Sequence, residues 1–300
     1  MRLITKQVPM NFNIFQFSCT HWGSMFTHKS GWEKLVTMLN ESYGGLPSSA
    51  NYAIHHGDMV EAIAIDDPRW SLMGAQPGGI IPQMTQARDK LKPIKSKVIT
   101  VLQGNHEQRL ESRFGDITDW VCNELGIPYG TYSAKISYHA KKGGALLFKQ
   151  YATHGYKGIN SSADDLIRRR SNMRLSLKRT LSPMAGDTIL MTKGHTHRLI
   201  IAPPESELFL VDDGNRIHQM YTFSSPSAPY IDVNLRWYVN VGAFFRMYGD
   251  DVVSNPSDRP LEGVRSSYAE IAEYAPIELG FAVVMVRDGQ ITNVKTEIVD

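Results

Sequence analysis

The chain has 300 residues, of which 42% are hydrophobic and 21% charged, and its formal net charge is +2 at pH 7. A chain of this length and composition buries a substantial core, and its near-neutral balance excludes a basic coat for bulk binding of nucleic acid or membranes, although not a local basic groove. The two cysteines, Cys19 and Cys122, lie far apart, which excludes a disulfide framework and favours a reducing compartment.

The first 17 residues contain no apolar signal-peptide core, and no later run is long and apolar enough to span a bilayer. We therefore expect a cytoplasmic protein, or one made in the cytoplasm of a host, without a membrane partner.

Short apolar segments that end in polar turns follow one another along the chain. Strands are predicted over 11–18 and 51–58, with helices over 33–39 and 84–91, and residues 66–79 are rich in turn formers and predict a surface insertion. The segments KVITVLQGNHE, LLFKQYATHG and DTILMTKGHTH then repeat the pattern of strand and polar turn. Because helices separate the early strands, we expect βαβ units whose carboxyl-end loops converge at one edge of a layered sheet.

The C-terminal third changes character. Hairpin-forming strands are predicted in ELFLVDDGNRIHQMYTFSS, RWYVNVGAFFRMY and GFAVVMVRDGQITNVKTEIV, where DDGN and RDGQ are turn signals. No repeat or linker is evident, so we predict one α/β domain over residues 1–300 with a two-layer sheet core and insertions near 66–83 and 157–184.

Five turns at predicted strand ends offer histidine, aspartate or asparagine. They are CTH at 19–21, GDMVE at 57–61, GNHE at 104–107, THG at 153–155 and GHTH at 194–197, and they hold five of the ten histidines. A single histidine at a strand end is more often a surface residue than a ligand, but five such turns indicate a metal site. Imidazole and carboxylate donors suit divalent transition metals, and two such metals that share an aspartate can clamp an in-line phosphoryl displacement.

The order of these motifs resembles the calcineurin-like metallophosphoesterase superfamily, whose pattern is Asp-x-His, Gly-Asp-x-x-Asp/Glu, Gly-Asn-His-Asp/Glu, His and Gly-His-x-His. The last four blocks match as written between Gly57 and His197, whereas the first block has Cys19 in place of aspartate. The segments VNVGAFFRMY and YAPIELGFAVV look like the closing strands of phage and bacterial members. The resemblance implies a two-layer β-sandwich core flanked by helices, in an α/β/β/α order, and the hydrolysis of phosphoester bonds.

The resemblance also implies two divalent metal ions, which are manganese, iron or zinc. Position 19 and His21 would bind the first ion together with His197, and Asp58 would bridge the two ions. The ligands of the second ion would be Asn105, His154 and His195. His106 would act beside the scissile phosphate, as an electrostatic stabiliser or as a proton donor to the leaving oxygen.

Several polar neighbours of these motifs have two interpretations. Glu61 and Glu107 fit positions that orient a ligand imidazole or a water, or they are solvated loop carboxylates. Arg109 reaches a substrate phosphate or forms a surface salt bridge. Since His55 and His56 are adjacent in a strand, at most one of them faces the site.

Three interpretations of Cys19 compete. In the first, it is a thiolate ligand of the first metal, which favours zinc or iron over harder cations. In the second, it lies near the metal without binding, and the first site is weak. In the third, the site is degraded and the protein is a scaffold for protein partners, which remain unknown.

The substrate class depends on the segment after THG. Leu166, Met173, Leu177 and Leu181 fall at helical spacing, and arginines crowd the same segment, including Arg168, Arg169 and Arg170. These arginines form either a solvated helix face or a basic rim that binds phosphate-rich substrate, with residues 70–79 as a facing wall. We therefore favour a phosphodiesterase or nuclease that acts on nucleotides or nucleic acid. A phosphomonoesterase and a catalytically silent scaffold are the alternatives.

Overall fold

The protein is described by a computed structural model that covers residues 1–63, 66–67, 79–248 and 268–299. Its strands are β1 (Arg2–Val8), β2 (Phe12–Phe17), β3 (Asn51–His55), β4 (Val98–Val101), β5 (Ser133–Ala140), β6 (Leu146–Thr153), β7 (Leu190–Lys193), β8 (Leu199–Ala202), β9 (Leu208–Asp212), β10 (Ile217–Tyr221), β11 (Trp237–Val241), β12 (Gly280–Arg287) and β13 (Gln290–Ile298). Its helices are α1 (Lys29–Asn40), α2 (Ile80–Leu91), α3 (Asn105–Phe114), α4 (Ile117–Leu125), α5 (Leu166–Leu181) and α6 (Tyr268–Ile271).

A five-stranded sheet has the order β13-β12-β2-β3-β4, in which β12 and β13 come from the C-terminal end of the chain. Strands β2, β3 and β4 are parallel, and α1 and α2 connect them, which confirms the predicted βαβ units. The helix α1 begins where Nδ1 of His28 accepts the backbone N–H of Gly31, and it turns Trp32, Leu35 and Leu39 towards the sheet at helical spacing. The parallel arrangement brings the three carboxyl ends to one edge.

A six-stranded sheet follows the order β1-β5-β6-β7-β11-β8, in which β6 and β7 are parallel. The strand β11 pairs in parallel with β7 and antiparallel with β8. The prediction that RWYVNVGAFFRMY forms a hairpin is therefore wrong, because its one strand inserts between two earlier strands. The hairpins β9–β10 and β12–β13 form as predicted.

The two sheets share a core. Phe12 and Ile54 of one sheet belong to the same buried cluster as Phe148 and Val239 of the other. Helices α1, α2 and α4 contribute to a cluster on the outer face of the five-stranded sheet, while α5 packs Leu177 and Leu181 on the outer face of the six-stranded sheet. Burial of these apolar faces holds the layers together at about 25 cal/mol per Å², and the α/β class is confirmed.

Some boundaries differ from the sequence predictions. The helix α2 begins at Ile80 rather than near residue 84, so residues 80–83 belong to this helix and not to the insertion predicted near 66–83. Most of the remaining insertion, including nearly all of the predicted wall at 70–79, lies outside the described residues. Cys122 is buried in the α4 core, as predicted. Among the described helices, none has the length and apolar character needed to cross a bilayer.

Candidate metal centre

The five turns that the sequence singles out meet at one end of the two sheets. The Cys19 N–H donates to the Gly57 carbonyl at 2.9 Å within the five-stranded sheet, and the Gly194 N–H donates to the Thr153 carbonyl at 3.2 Å within the six-stranded sheet. The sheets are joined here because Nδ1 of His154 lies 2.6 Å from the His56 carbonyl. The loops after β2, β3, β4, β6 and β7 therefore form one site.

Five residues of this site have a left-handed backbone. Their φ angles lie between +47° and +70°, and the residues are Cys19, His21, Asp58, His195 and His197. This conformation costs an L-residue roughly 1 kcal/mol or more, so the rest of the fold must impose it. Such strain concentrates at functional sites, where it aims side chains at a common point.

The first donor group consists of Cys19, His21, Asp58 and His197, whose donor atoms all lie within 4.8 Å of one another. All four side chains are buried. Nε2 of His21 has no hydrogen-bond partner and lies 4.0 Å from Oδ2 of Asp58. A buried nitrogen without a partner, facing a carboxylate and a thiol, fits a divalent cation.

The second donor group consists of Asp58, Asn105, His154 and His195. Since a carbonyl only accepts, Nδ1 of His154 carries a proton, while Nε2 lies 2.9 Å from Oδ1 of Asn105 and 3.2 Å from Oδ2 of Asp58. Nδ1 of His195 lies 2.7 Å from the same oxygen of Asn105. Two imidazole nitrogens and two oxygens thus converge in a buried space, and this set of donors suits a divalent cation.

Asp58 belongs to both groups. Its Oδ1 accepts the backbone N–H of His106 at 3.0 Å, while Oδ2 lies between His154 and His21. Burial opposes ionisation of this carboxyl, but the charges of His154, His106 and His21 outweigh burial and lower the pKa of Asp58 well below its usual value. The carboxylate is therefore ionised and available to two cations.

Glu61 and Glu107 are both buried beside the donors. Oε2 of Glu61 lies 2.8 Å from Nδ1 of His21, at ion-pair distance but not aligned for a hydrogen bond, and His106 completes a third set of donors with them. Glu107 accepts backbone N–H bonds from Met59, Val60 and Gly104. Burial and the neighbouring Asp58 raise the pKa of Glu107 to about 7. Glu107 thus fixes the loop that carries Asp58, and neither glutamate is a solvated loop residue.

A cavity of about 630 Å³, here called the metal pocket, opens over the donors and is lined by His106, Arg109, His195 and His197 among others. Nδ1 of His106 donates to the Glu61 carbonyl, which leaves Nε2 as the ring atom available to a bound molecule. Arg109 lies on the pocket wall with its guanidinium 3.5 Å from Asp67. The predicted surface salt bridge is therefore confirmed, and the contact of Arg109 with a substrate phosphate stays a prediction.

The three predicted arginines of α5 lie apart from the metal pocket. Arg168 lines neither this pocket nor the neighbouring cavity, whereas Arg169 and Arg170 line that neighbouring cavity. The helix α5 packs on the outer face of the six-stranded sheet, so none of the three lines the metal pocket itself, and their role in binding phosphate-rich substrate stays a prediction. His55 and His56 are buried and bond to Thr20 and Gln16, outside the donor groups.

Sequence reasoning missed several residues that line the metal pocket. Among them are Tyr156, Arg198 and Tyr274. The ring of Tyr156 stacks on His195 with the centroids 5.7 Å apart and the planes 15° apart. The only signal in the sequence was position, since Arg198 directly follows GHTH and Tyr156 follows THG.

A scan of the chain against protein-family models and a search of curated proteins each find no match.

Proposed function

We propose that this protein is a dinuclear metal-dependent phosphoesterase with the α/β/β/α fold of the calcineurin-like superfamily. The observation that carries the proposal is the position of Asp58, whose carboxylate lies within reach of both donor groups. A shared carboxylate at the meeting point of five strand ends is the arrangement that a two-metal phosphoryl site requires.

Two bound divalent cations would supply a water of lowered pKa and would offset charge on the phosphoryl oxygens. Cys19, His21, Asp58 and His197 would hold one cation, and Asp58, Asn105, His154 and His195 the other. His106 would present Nε2 to the substrate, since the Glu61 carbonyl fixes its ring through Nδ1. Arg109 would attract the phosphate group from the pocket wall.

A phosphodiester of nucleotides or nucleic acid is the favoured substrate. The support is the wall of the metal pocket, where Arg109 and Arg198 offer cations and Tyr156 and Tyr274 offer aromatic rings. The ring of Tyr156 is 71% exposed, so a base can stack on it.

The test is hydrolysis of bis-p-nitrophenyl phosphate and p-nitrophenyl phosphate after reconstitution with manganese, iron or zinc. We expect turnover with a preference for the diester, and a loss of about 10²-fold or more in His106→Ala, because one positioned stabilising group is worth that much. A preference for the monoester would favour a phosphomonoesterase. Metal binding without any turnover would favour the silent scaffold and would contradict the proposal.

A further inference from the structure

A second cavity of about 490 Å³ lies next to the metal pocket. Arg198, Ala275 and Ile277 line both cavities, so the two adjoin. We call the second cavity the arginine groove, because Arg169, Arg170 and Arg174 of α5 join Arg198 along its wall.

Among the described residues, few opposite charges lie beside the cations of the groove. Glu278 is the one acidic residue of this part of the chain that lines it. The guanidinium of Arg169 donates to the carbonyls of Ala163 and Asp164, which anchors it. Within residues 1–63, 66–67, 79–248 and 268–299, no ion pair involves Arg170, Arg174 or Arg198.

Apolar side chains line the groove together with the arginines. They belong to Leu166, Met173, Leu199, Ile200, Pro276 and Ile277. Cations beside apolar side chains match a polymer in which phosphates alternate with flat, weakly polar bases, as in single-stranded nucleic acid. A double helix keeps its bases stacked inside and cannot place them against such side chains.

We propose that the arginine groove binds single-stranded nucleic acid and leads one of its phosphodiesters into the metal pocket. This assignment rests on the proposed phosphoesterase function, because a strand bound in the groove would be hydrolysed in the adjoining metal pocket.

Binding is tested with a labelled oligothymidylate of about 12 nucleotides by fluorescence anisotropy in the presence of chelator. The variant Arg170→Glu with Arg174→Glu should lose at least tenfold in affinity, and the slope of log K against log salt should become shallower by about 1.4, at about 0.7 per phosphate contact. The control is Arg168→Glu with Arg179→Glu, which makes the same change of charge on α5 outside the groove and should bind nearly as the parent does.

Equal losses in both double variants would overturn the proposal, as would equal affinity for a duplex or for a phosphopeptide. Hydrolysis of bis-p-nitrophenyl phosphate separates the two proposals, because this small diester does not extend to α5. If the variant Arg170→Glu with Arg174→Glu hydrolyses this diester and binds the strand as the parent does, strand binding by the groove is refuted and the phosphoesterase function is not. Groove-dependent binding by a protein that hydrolyses no phosphoester refutes the phosphoesterase and leaves the groove standing.

An independent feature is the hairpin β9–β10, which forms a two-stranded sheet of its own. The register pairs Leu208 with Tyr221, Leu210 with Gln219 and Asp212 with Ile217, and these six side chains share one face. The apolar ones, Leu208, Leu210, Ile217 and Tyr221, are 50%, 66%, 73% and 63% exposed. An isolated two-stranded hairpin is marginally stable in water. Four exposed apolar side chains on one of its faces therefore indicate that another protein surface packs on them.

We infer that this face pairs with the same face of a second copy of the chain. The face carries a single charged side chain, Asp212 at its margin, so it does not select a partner of opposite charge. Its four apolar side chains expose roughly 500 Å² per copy, and two copies would bury about 1,000 Å², the lower limit for a specific interface. A two-fold axis makes such a surface self-complementary.

Sedimentation equilibrium tests the pairing against the chain mass of 33.7 kDa. We expect a dimer, and we expect Leu210→Lys with Ile217→Lys to give a monomer with an unchanged circular dichroism spectrum. Ile167→Lys, at a side chain that is 76% exposed on α5, should leave the dimer intact. A monomeric parent, or a dimer that survives the double substitution, would overturn the inference.

Discussion

At the residue scale, Cys19 is the position where this chain departs from the motif it resembles. Its thiol lies in the first donor group, which is the geometry that the ligand interpretation requires. Burial raises the pKa of the Cys19 thiol, so a thiolate at this position needs a cation beside it. Because Cys19 is buried among the other donors of the group, this geometry favours Cys19 as a metal ligand over the interpretation of a degraded site.

Cys19→Asp should shift metal preference from zinc or iron towards manganese, because a carboxylate is a harder donor than a thiolate. Cys19→Ser should lower the metal content of the purified protein from about two equivalents towards one, if two metals bind. Elemental analysis measures both, with Cys122→Ser as the matched control at a buried thiol far from the donors. Unchanged content and preference in both Cys19 variants would favour a cysteine that does not bind.

His55 gives a residue-scale prediction about pH. Its Nδ1 accepts the Gly57 N–H, and its Nε2 faces the hydroxyl of Thr20, which donates onward to Met59. Burial, with the neighbouring His56 and His154, lowers the pKa of His55 to about 3. The folded pKa is below the unfolded value of about 6.5, so the contribution to stability is complete above pH 6.5 and is lost as the pH falls towards 3.

Between pH 7 and pH 5 this loss is about 2 kcal/mol of unfolding free energy. The measurement is urea unfolding with chelator for the parent and for His55→Gln, which has no titrating ring. We expect the stability difference between the two proteins to shrink by that amount over this range. A difference that stays constant would show that His55 titrates normally in the folded protein.

At the element scale, the close approach of two turns positions the shared carboxylate. A Cβ added to Gly104 would lie 2.1 Å from the backbone nitrogen of Asp58 and 2.2 Å from its Oδ1. The turn before α3 therefore needs glycine, since the turn after β3 occupies the space of any side chain. Glu107 then fixes the two turns together through three backbone N–H groups.

Gly104→Ala should cost about 1–3 kcal/mol of stability and should lower metal content, because overpacking displaces Asp58. Gly158→Ala is the control on the same pocket, where the nearest atom, Nδ2 of Asn160, is 3.6 Å from the added Cβ. Thermal unfolding and elemental analysis measure the two effects. Full metal content in Gly104→Ala would contradict this account of the turn.

At the scale of the whole molecule, the donor groups connect two sheets. Asp58 follows β3 of the five-stranded sheet, and His154 follows β6 of the six-stranded sheet. Removal of metal by a chelator should lower the free energy of unfolding by about 2.7 kcal/mol when free metal had stood 100-fold above Kd. Titration of the unfolding midpoint with metal measures this, and a midpoint independent of metal would contradict a site that spans the sheets.

The sequence predicted the parts of the fold that depend on local pattern. Strands β3, β4, β6 and β7 end where apolar runs meet turns that contain glycine, β2 ends at the CTH turn, and the motifs at those ends come together as expected. The position of β11 between β7 and β8 could not be predicted, because pairing between distant segments leaves no local signal. The crowded arginines of α5 are visible in the sequence, but their meeting with Arg198 in one groove is not, since it depends on which turn faces α5.

The span of the donor set along the chain has a kinetic consequence. The donors run from Cys19 to His197, and the strand β11, which completes the six-stranded sheet, comes later still at residues 237–241. Because contacts between such distant segments cost loop-closure entropy, we expect the site to be complete only after the transition state has passed. Bound cations would then slow unfolding and leave the refolding rate almost unchanged, and the lifetime of the folded chain would follow the supply of metal around it.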